Sequence, residues 1–72
     1  MITIEQIQKR LIEVIQQSGL TKSEIARRLG IKHQQISCYV LGQKMPGLDT
    51  LANLCKLLDI DANYVLCQDL NV

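Results

Sequence analysis

Basic side chains are concentrated in one stretch of this 72-residue sequence. From Lys22 to Lys44, five basic residues accompany the single acid Glu24, which gives this stretch a net charge of +4. The remainder carries three basic and six acidic residues, a net charge of −3, so the overall charge of +1 conceals the asymmetry. A basic region attracts phosphate or another anion, while an acidic remainder limits nonspecific binding. The charge pattern therefore indicates an anionic partner.

Side chains suited to catalysis or metal binding are few. His33 is the only histidine, and Cys38, Cys55 and Cys67 lack the paired spacing of a zinc site or a disulfide framework. No glycine-rich phosphate-binding loop is present. We therefore predict no enzymatic activity, no metal and no cofactor. The cysteines favour a reducing cytoplasm, and without a signal peptide or an apolar run near the ~18 residues of a membrane helix we expect no membrane association.

The elements that position these side chains are predicted to be helices, because 47% of the residues are hydrophobic and mostly aliphatic. Thr3 and Gln6 form a capping-box pattern at the start of the first helix, which Ser18 and Gly19 end. The apolar stripe of this helix comprises Ile4, Ile7, Leu11, Val14 and Ile15. We expect one all-α domain of five helices over residues 1–72.

A second helix is predicted from about Lys22 to Leu29, with Thr21 as its N-cap. Gly30 ends it, and a third helix follows after a turn of three or four residues, so a helix-turn-helix is expected at about 21–41. Ala26 is small enough for the two helices to cross closely. The face behind them is predicted to bury Ile25, Leu29, Ile31, Ile36, Tyr39 and Leu51.

Two further helices are predicted after a loop at residues 42–47, which contains two glycines and a proline. Asp61 is expected to cap a short fifth helix through about Leu66. The fourth helix has an apolar stripe of Leu48, Leu51, Leu54, Cys55 and Leu58. Cys55 is thereby expected in the core, where free cysteine behaves as a small hydrophobe.

The whole pattern resembles the Cro/repressor-type helix-turn-helix family, whose fold is the lambda-repressor-like arrangement of five helices. The residues that carry the likeness are the string from Leu20 to Ile31, then Ile36, Ser37, Gly42, Pro46 and Leu51, and the ending from Leu58 to Leu66. The resemblance covers nearly the whole chain. It implies a sequence-specific regulator of transcription that binds double-stranded DNA as a homodimer, with repression the favoured role.

The resemblance assigns base reading to the first two turns of the third helix. Gln can pair bidentately with adenine, Lys and protonated His can donate to guanine, and Ser can serve either role. The residues at these positions are Lys32, His33, Gln34, Ser37 and Cys38. An exposed polar helix face is the alternative interpretation. Lys32 also stands near the N-cap, where Ser, Thr, Asp or Asn would be more stabilising, and this favours a role in binding.

Phosphate contacts are implied at the start of helix two and after helix three. Backbone N–H groups at helix starts near Lys22 and Gly47 can add anion binding without a charged side chain. The full set is Lys22, Arg27, Gln43, Lys44 and Gly47. Arg27 and Arg28 on helix two can equally form a solvated face.

The sequence departs from the family at Val40 and Leu41, where a glutamate and a polar residue are common. This apolar run is open to three interpretations: extra core, a subunit contact or a partner surface. The last allows an alternative function, a protein-interaction module or antitoxin that binds a partner protein through the same fold. Dimerisation itself is predicted at the end of the chain, through Val65, Leu66, Leu70 and Val72.

Overall fold

The computed structural model describes residues 1–69, and within this range all of the regular structure is helical. The five helices are α1 (Ile4–Gln17), α2 (Lys22–Leu29), α3 (His33–Val40), α4 (Leu48–Leu57) and α5 (Ala62–Val65). The predicted all-α fold class is confirmed. No helix among residues 1–69 is both long enough and apolar enough to cross a membrane.

Side-chain caps fix the starts of three helices as the sequence indicates. At α1, the Thr3 hydroxyl accepts from the Gln6 N–H while the Gln6 side chain accepts from the Thr3 N–H, a complete capping box. Thr21 at α2 and Asp61 at α5 are simpler side-chain caps, and each accepts a hydrogen bond from one backbone N–H of its helix. These predicted caps are confirmed.

The core lies where α3 packs against α1 and α2, with α4 on α2 and α5 on α1. Most of the predicted core is confirmed, although Leu29 and Ile31 are half-buried at its margin. The buried cluster comprises Leu11, Val14, Ile15, Ile25, Ala26, Ile36, Tyr39, Leu51, Leu54, Cys55 and Val65. The helix-turn-helix therefore rests on a continuous apolar layer.

Two residues assigned to apolar stripes lie outside this core. Ile4 is 56% exposed and Leu48 is 86% exposed, so the prediction that both face the core was wrong. Each is the first residue of its helix. The stripe therefore begins one turn later than the apolar pattern suggests.

The two unusual apolar residues at the end of α3, Val40 and Leu41, differ in burial. Val40 is half-buried and packs against the core, whereas Leu41 is 65% exposed. Extra core is therefore the correct interpretation for Val40. For Leu41, a subunit contact and a partner surface both stay open.

A polar cluster fastens α5 to α1. The Arg10 guanidinium donates to the Tyr64 carbonyl at 2.7 Å, pairs with the Asp69 carboxylate and lies 4.4 Å from the centre of the Tyr64 ring. The Tyr64 hydroxyl donates to Glu13. This hydrogen bond, together with burial, raises the pKa of Tyr64. We refer to Arg10, Glu13, Tyr64 and Asp69 as the α1–α5 cluster.

Candidate nucleic-acid interface

The turn between α2 and α3 is built on Gly30. Its φ of +70° lies in the left-handed region, which glycine adopts without steric cost. The Gly30 N–H donates to the last carbonyls of α2, and the Ile31 N–H reaches back to the Ala26 carbonyl at 3.0 Å. Lys32 then serves as the N-cap of α3, so three residues, 30–32, separate the two helices. Ala26 is buried, consistent with a close crossing.

α3 has a buried face and an outward face. Ile36 and Tyr39 are buried against the other helices. Gln34, Ser37 and Cys38 follow each other at helical spacing on the opposite side of α3, where Gln34 is exposed and the other two are half-buried. A row of polar side chains therefore lies along the side of α3 that faces away from the core.

The start of α3 has exposed backbone donors. Lys32 is the N-cap, its side chain makes no capping hydrogen bond, and no acidic residue lies in the first turn. The first N–H groups of a helix lack partners within it, and the helix dipole makes them attractive to an anion. Lys32 and His33 are both exposed beside these groups. The Gln35 N–H donates to the Lys32 carbonyl at 3.0 Å, so the positive charge and the dipole coincide with the N–H groups of His33 and Gln34.

The predicted phosphate-contacting residues lie on both flanks of α3. Lys22 is half-buried at the first position of α2, and Gln43 and Lys44 are exposed in the loop after α3. Gly47 is the exposed N-cap of α4 and provides no side-chain cap. Both helix starts can therefore present backbone N–H groups to an anion.

Arg27 has a partner within its own helix. Its Nη2 lies 3.2 Å from both carboxylate oxygens of Glu24, and Arg28 lies 3.3 Å from the same group. These surface ion pairs contribute little stability, because exposed pairs are screened by water. They do share one negative charge between two arginines, which lowers the attraction of either arginine for phosphate.

The loop after α3 is held by a contact that sequence reasoning missed. The Gln8 side chain on α1 donates to the Gly42 carbonyl at 2.9 Å. The residues are 34 positions apart, and a glutamine on the polar side of an amphipathic helix gives no local signal of such a partner. Only the packing of α1 against α3 brings them together.

The predicted dimer residues have different environments. Val65 is fully buried in the core of its own chain, which corrects its assignment to a dimer surface, because its side chain is inaccessible to a second copy. Leu66 is half-buried and packs at the edge of that core. Leu70 and Val72 lie outside the described residues.

The cysteines and acidic residues within residues 1–69 form no group placed to hold a metal ion. Cys55 and Cys67 are buried, and burial raises the pKa of the Cys55 thiol. A raised pKa favours the neutral thiol, which is a poor nucleophile and a poor metal ligand. These two cysteines therefore act as parts of the apolar interior.

Comparison with known proteins agrees with this geometry. A helix-turn-helix family model matches residues 11–65. The HTH-type transcriptional regulator ImmR of Bacillus subtilis (strain 168) is 36% identical over 61 residues, which are 85% of this chain and 48% of ImmR. The regulator for the conjugative element SXT of Vibrio cholerae is 33% identical over 63 residues, 88% of this chain and 29% of that protein.

A third relative is the Uncharacterized HTH-type transcriptional regulator YqaE of Bacillus subtilis (strain 168), 34% identical over 55 residues, 76% of this chain and 47% of YqaE. This chain thus spans at most about half the length of these curated relatives. No solved structure shows a significant match. The family model and the three relatives confirm the resemblance inferred from the motifs, and the chain belongs to the helix-turn-helix family.

Proposed function

We propose that this chain is a sequence-specific double-stranded DNA-binding regulator of transcription, with repression as the favoured role. The observation that carries the proposal is the outward face of α3, where Gln34, Ser37 and Cys38 stand opposite the buried Ile36 and Tyr39. An α-helix fits the major groove of B-DNA, where base edges present distinct hydrogen-bonding patterns. The names of the relatives, all HTH-type transcriptional regulators, support the same function.

In the proposed complex, α3 enters the major groove by its N-terminal end. Gln34 pairs with adenine, Lys32 and His33 donate to guanine or to a nearby phosphate, and Ser37 and Cys38 contact the next base pairs. The absence of a side-chain cap on α3 supports this docking, since an anion can bind the N–H groups that a cap would occupy.

Phosphate contacts on both sides of the groove fix the orientation of α3. Lys22 and the N–H groups at the start of α2 bind one strand, while Gln43, Lys44 and the N–H groups near Gly47 bind the other. Arg27 is proposed to bind phosphate on the same strand as Lys22, but with a smaller contribution to affinity, because its ion pair with Glu24 already neutralises part of its charge. Lys22 and Lys44 supply the salt-dependent part of the affinity.

The DNA-bound form is proposed to be a two-fold homodimer formed through α5 and the residues after it. Leu66 contributes from the described residues, and Leu70 and Val72 are proposed to extend the contact. A two-fold dimer reads inverted half-sites whose centres are about 34 Å apart, one turn of B-DNA. The regulator is further proposed to be cytoplasmic and without enzymatic activity.

A protein-interaction module or antitoxin is the second candidate function, and the exposure of Leu41 favours it. A leucine with 65% of its surface exposed at the end of α3 suits contact with an apolar partner surface. Such a module has no need for Lys32, Gln34 and Lys44 near one end of the molecule. DNA binding explains these three residues and the interaction module explains only Leu41.

Selection from a library of random duplexes, followed by titration of the enriched sequence, tests the proposed function. The expected result is an enriched inverted repeat, bound about a thousandfold or more tightly than random duplex. The variant Gln34→Ala, carried through the same selection, is expected to lose preference at one position of each half-site. Failure to enrich any sequence, with binding no tighter than to random duplex, would contradict sequence-specific DNA binding.

A further inference from the structure

Gln8 lies on α1, which carries none of the residues proposed to contact DNA, yet it holds the loop that does. Its Nε2 donates to the Gly42 carbonyl at 2.9 Å. A Cβ placed on Gly42 would lie 3.6 Å from the Gln8 carboxamide carbon, so the amide occupies the space beside the glycine where a side chain would begin. Gln8 is half-buried in this position.

Gly42 is the residue at which the chain leaves α3 and enters the loop. Its φ is +74°, and the following N–H, that of Gln43, donates to the Cys38 carbonyl at 2.9 Å. This is the glycine-terminated helix ending, which sets the direction of the next residues. Those residues are Gln43 and Lys44, both exposed. The Gly42 peptide therefore sets the direction in which the chain continues toward Lys44.

We propose that Gln8 is a positioning residue for DNA binding, which acts through Gly42 on the phosphate contacts of Gln43 and Lys44. This inference rests on the proposed function. The hydrogen bond ties the loop to α1, the longest helix, and thereby orders the loop before DNA arrives. Preorganisation strengthens binding because less conformational entropy is lost when the complex forms.

A purely structural tie would have a different signature. If Gln8 only stabilised the fold, its loss would lower the melting temperature and leave the affinity of folded protein for DNA unchanged. A positioning role requires that the folded variant binds DNA more weakly, and that the loss depends on the presence of Lys44. The two roles are separated by measuring affinity and stability on the same variants.

The first variant is Gln8→Met, which removes the donor while keeping the length and helix propensity of the side chain. The matched control is Gln16→Met, an exposed glutamine two turns further along α1. Binding is measured to a labelled random-sequence duplex of about 30 base pairs, three turns of B-DNA, well below the melting temperatures. We expect Gln8→Met to weaken binding roughly two- to tenfold, the scale of one hydrogen bond, and Gln16→Met to match the wild type.

The second measurement is a double-mutant cycle with Lys44→Ala. If Gln8 acts on the Lys44 contact, the combined variant binds more tightly than the product of the two single effects predicts, because part of the same interaction is lost only once. Gln8→Glu provides a further check, since its carboxylate faces the Gly42 carbonyl and the phosphates with a negative charge. We expect it to bind more weakly than Gln8→Met.

Each outcome decides between the roles. Wild-type affinity in Gln8→Met, or full additivity with Lys44→Ala, would overturn the positioning role while leaving DNA binding intact. Wild-type affinity in Lys44→Ala would overturn the loop contact and the inference together. A wild-type chain that binds no duplex would instead overturn the proposed function itself.

Discussion

The two helices of the helix-turn-helix have the same length but begin in opposite ways. α2 and α3 each contain eight residues. At α2, the Thr21 hydroxyl accepts from the Glu24 N–H at 3.1 Å, and Glu24 adds a negative charge to the first turn. At α3, Lys32 provides neither a side-chain cap nor a negative charge. The Thr21 cap satisfies one of the first N–H groups of α2 within the protein, whereas no side chain caps the start of α3.

This difference assigns stability to the start of α2 and recognition to the start of α3. The cap and the acidic first turn of α2 stabilise that helix in the free protein. The start of α3 lacks a side-chain cap. This lack lowers the stability of the free protein by about 1 kcal/mol and leaves backbone N–H groups available to an anion. Sites of this kind, where a local stability rule is broken, are expected where binding takes place. The comparison can be tested by changing one face or one helix start at a time.

The largest expected effect lies on the buried face of α3. Ile36→Ala should lower the free energy of unfolding by about 2 to 5 kcal/mol, because it removes a fully buried side chain and leaves a cavity. Leu51→Ala on α4 should lose a similar amount, a large part of the stability of so small a domain. Thermal and denaturant melts measure both. A loss of only a few tenths of a kcal/mol would mean that the core face of α3 is misassigned.

The core could be predicted this well because periodicity reports burial directly. Apolar residues recur every three or four positions wherever a helix packs along its length, as they do for Leu11, Val14 and Ile15. The pattern was wrong at Ile4 and Leu48, the first residues of their helices, which are both exposed. Burial at a helix end depends on the lengths and crossing of the other helices, and the local sequence does not contain that information.

The second effect lies on the outward face of α3. Gln34→Ala should weaken binding to the preferred duplex by about 1 to 3 kcal/mol while hardly changing binding to random duplex, since a base contact is lost. Its melting temperature should stay close to that of the wild type, because Gln34 is exposed. Titrations of both duplexes measure the change in preference.

Lys44→Ala is the matched control for this variant, because it removes a proposed phosphate contact instead of a base contact. It should weaken both duplexes alike and lower the slope of log affinity against log salt by about 1, as one fewer counterion is released. Equal weakening of all sequences by Gln34→Ala would show that the outward face of α3 does not read bases.

The third pair of variants adds a side-chain cap to α3 and removes the cap from α2. Lys32→Ser should stabilise the free protein by about 1 kcal/mol, because the hydroxyl can cap α3, and at the same time weaken DNA binding. Thr21→Ala should destabilise it by about 1 kcal/mol, because α2 loses its cap. Melts and DNA titrations on both variants test the comparison. Destabilisation by Lys32→Ser would mean that Lys32 contributes to the fold.

The candidate site could be placed on the sequence only in part. The turn at Gly30 and the uncapped start at Lys32 are local features, and the structure has both. The pairing of Arg27 with Glu24 was also within reach, since three-residue spacing places them side by side on one helix face. The contact between Gln8 and Gly42 was not, because it joins two segments that only the tertiary fold brings together.

The smallest expected effect concerns the α1–α5 cluster, which has no proposed contact with DNA. The hydrogen bond from Tyr64 to Glu13, followed by burial, raises the pKa of Tyr64 in the folded protein, so folding favours the neutral hydroxyl. The resulting stability is present below the ordinary tyrosine pKa of about 10 and is lost as pH rises through the higher folded pKa.

Tyr64→Phe should therefore lower the melting temperature at neutral pH by less than Thr21→Ala does, and it should remove part of the decline in stability above about pH 10, where tyrosine ionises. Tyr39 and Cys55, whose pKa values are also raised by burial, contribute to the decline that remains. DNA affinity at neutral pH should equal that of the wild type, because the variant keeps the aromatic ring of Tyr64 and leaves α2, α3, the loop after α3 and the proposed dimer residue Leu66 unchanged. Melting curves from pH 7 to pH 11 and one DNA titration measure both properties. Weaker DNA binding by Tyr64→Phe would show that the α1–α5 cluster contributes to recognition as well as to stability, and the division of these two roles between the starts of α2 and α3 would then be incomplete.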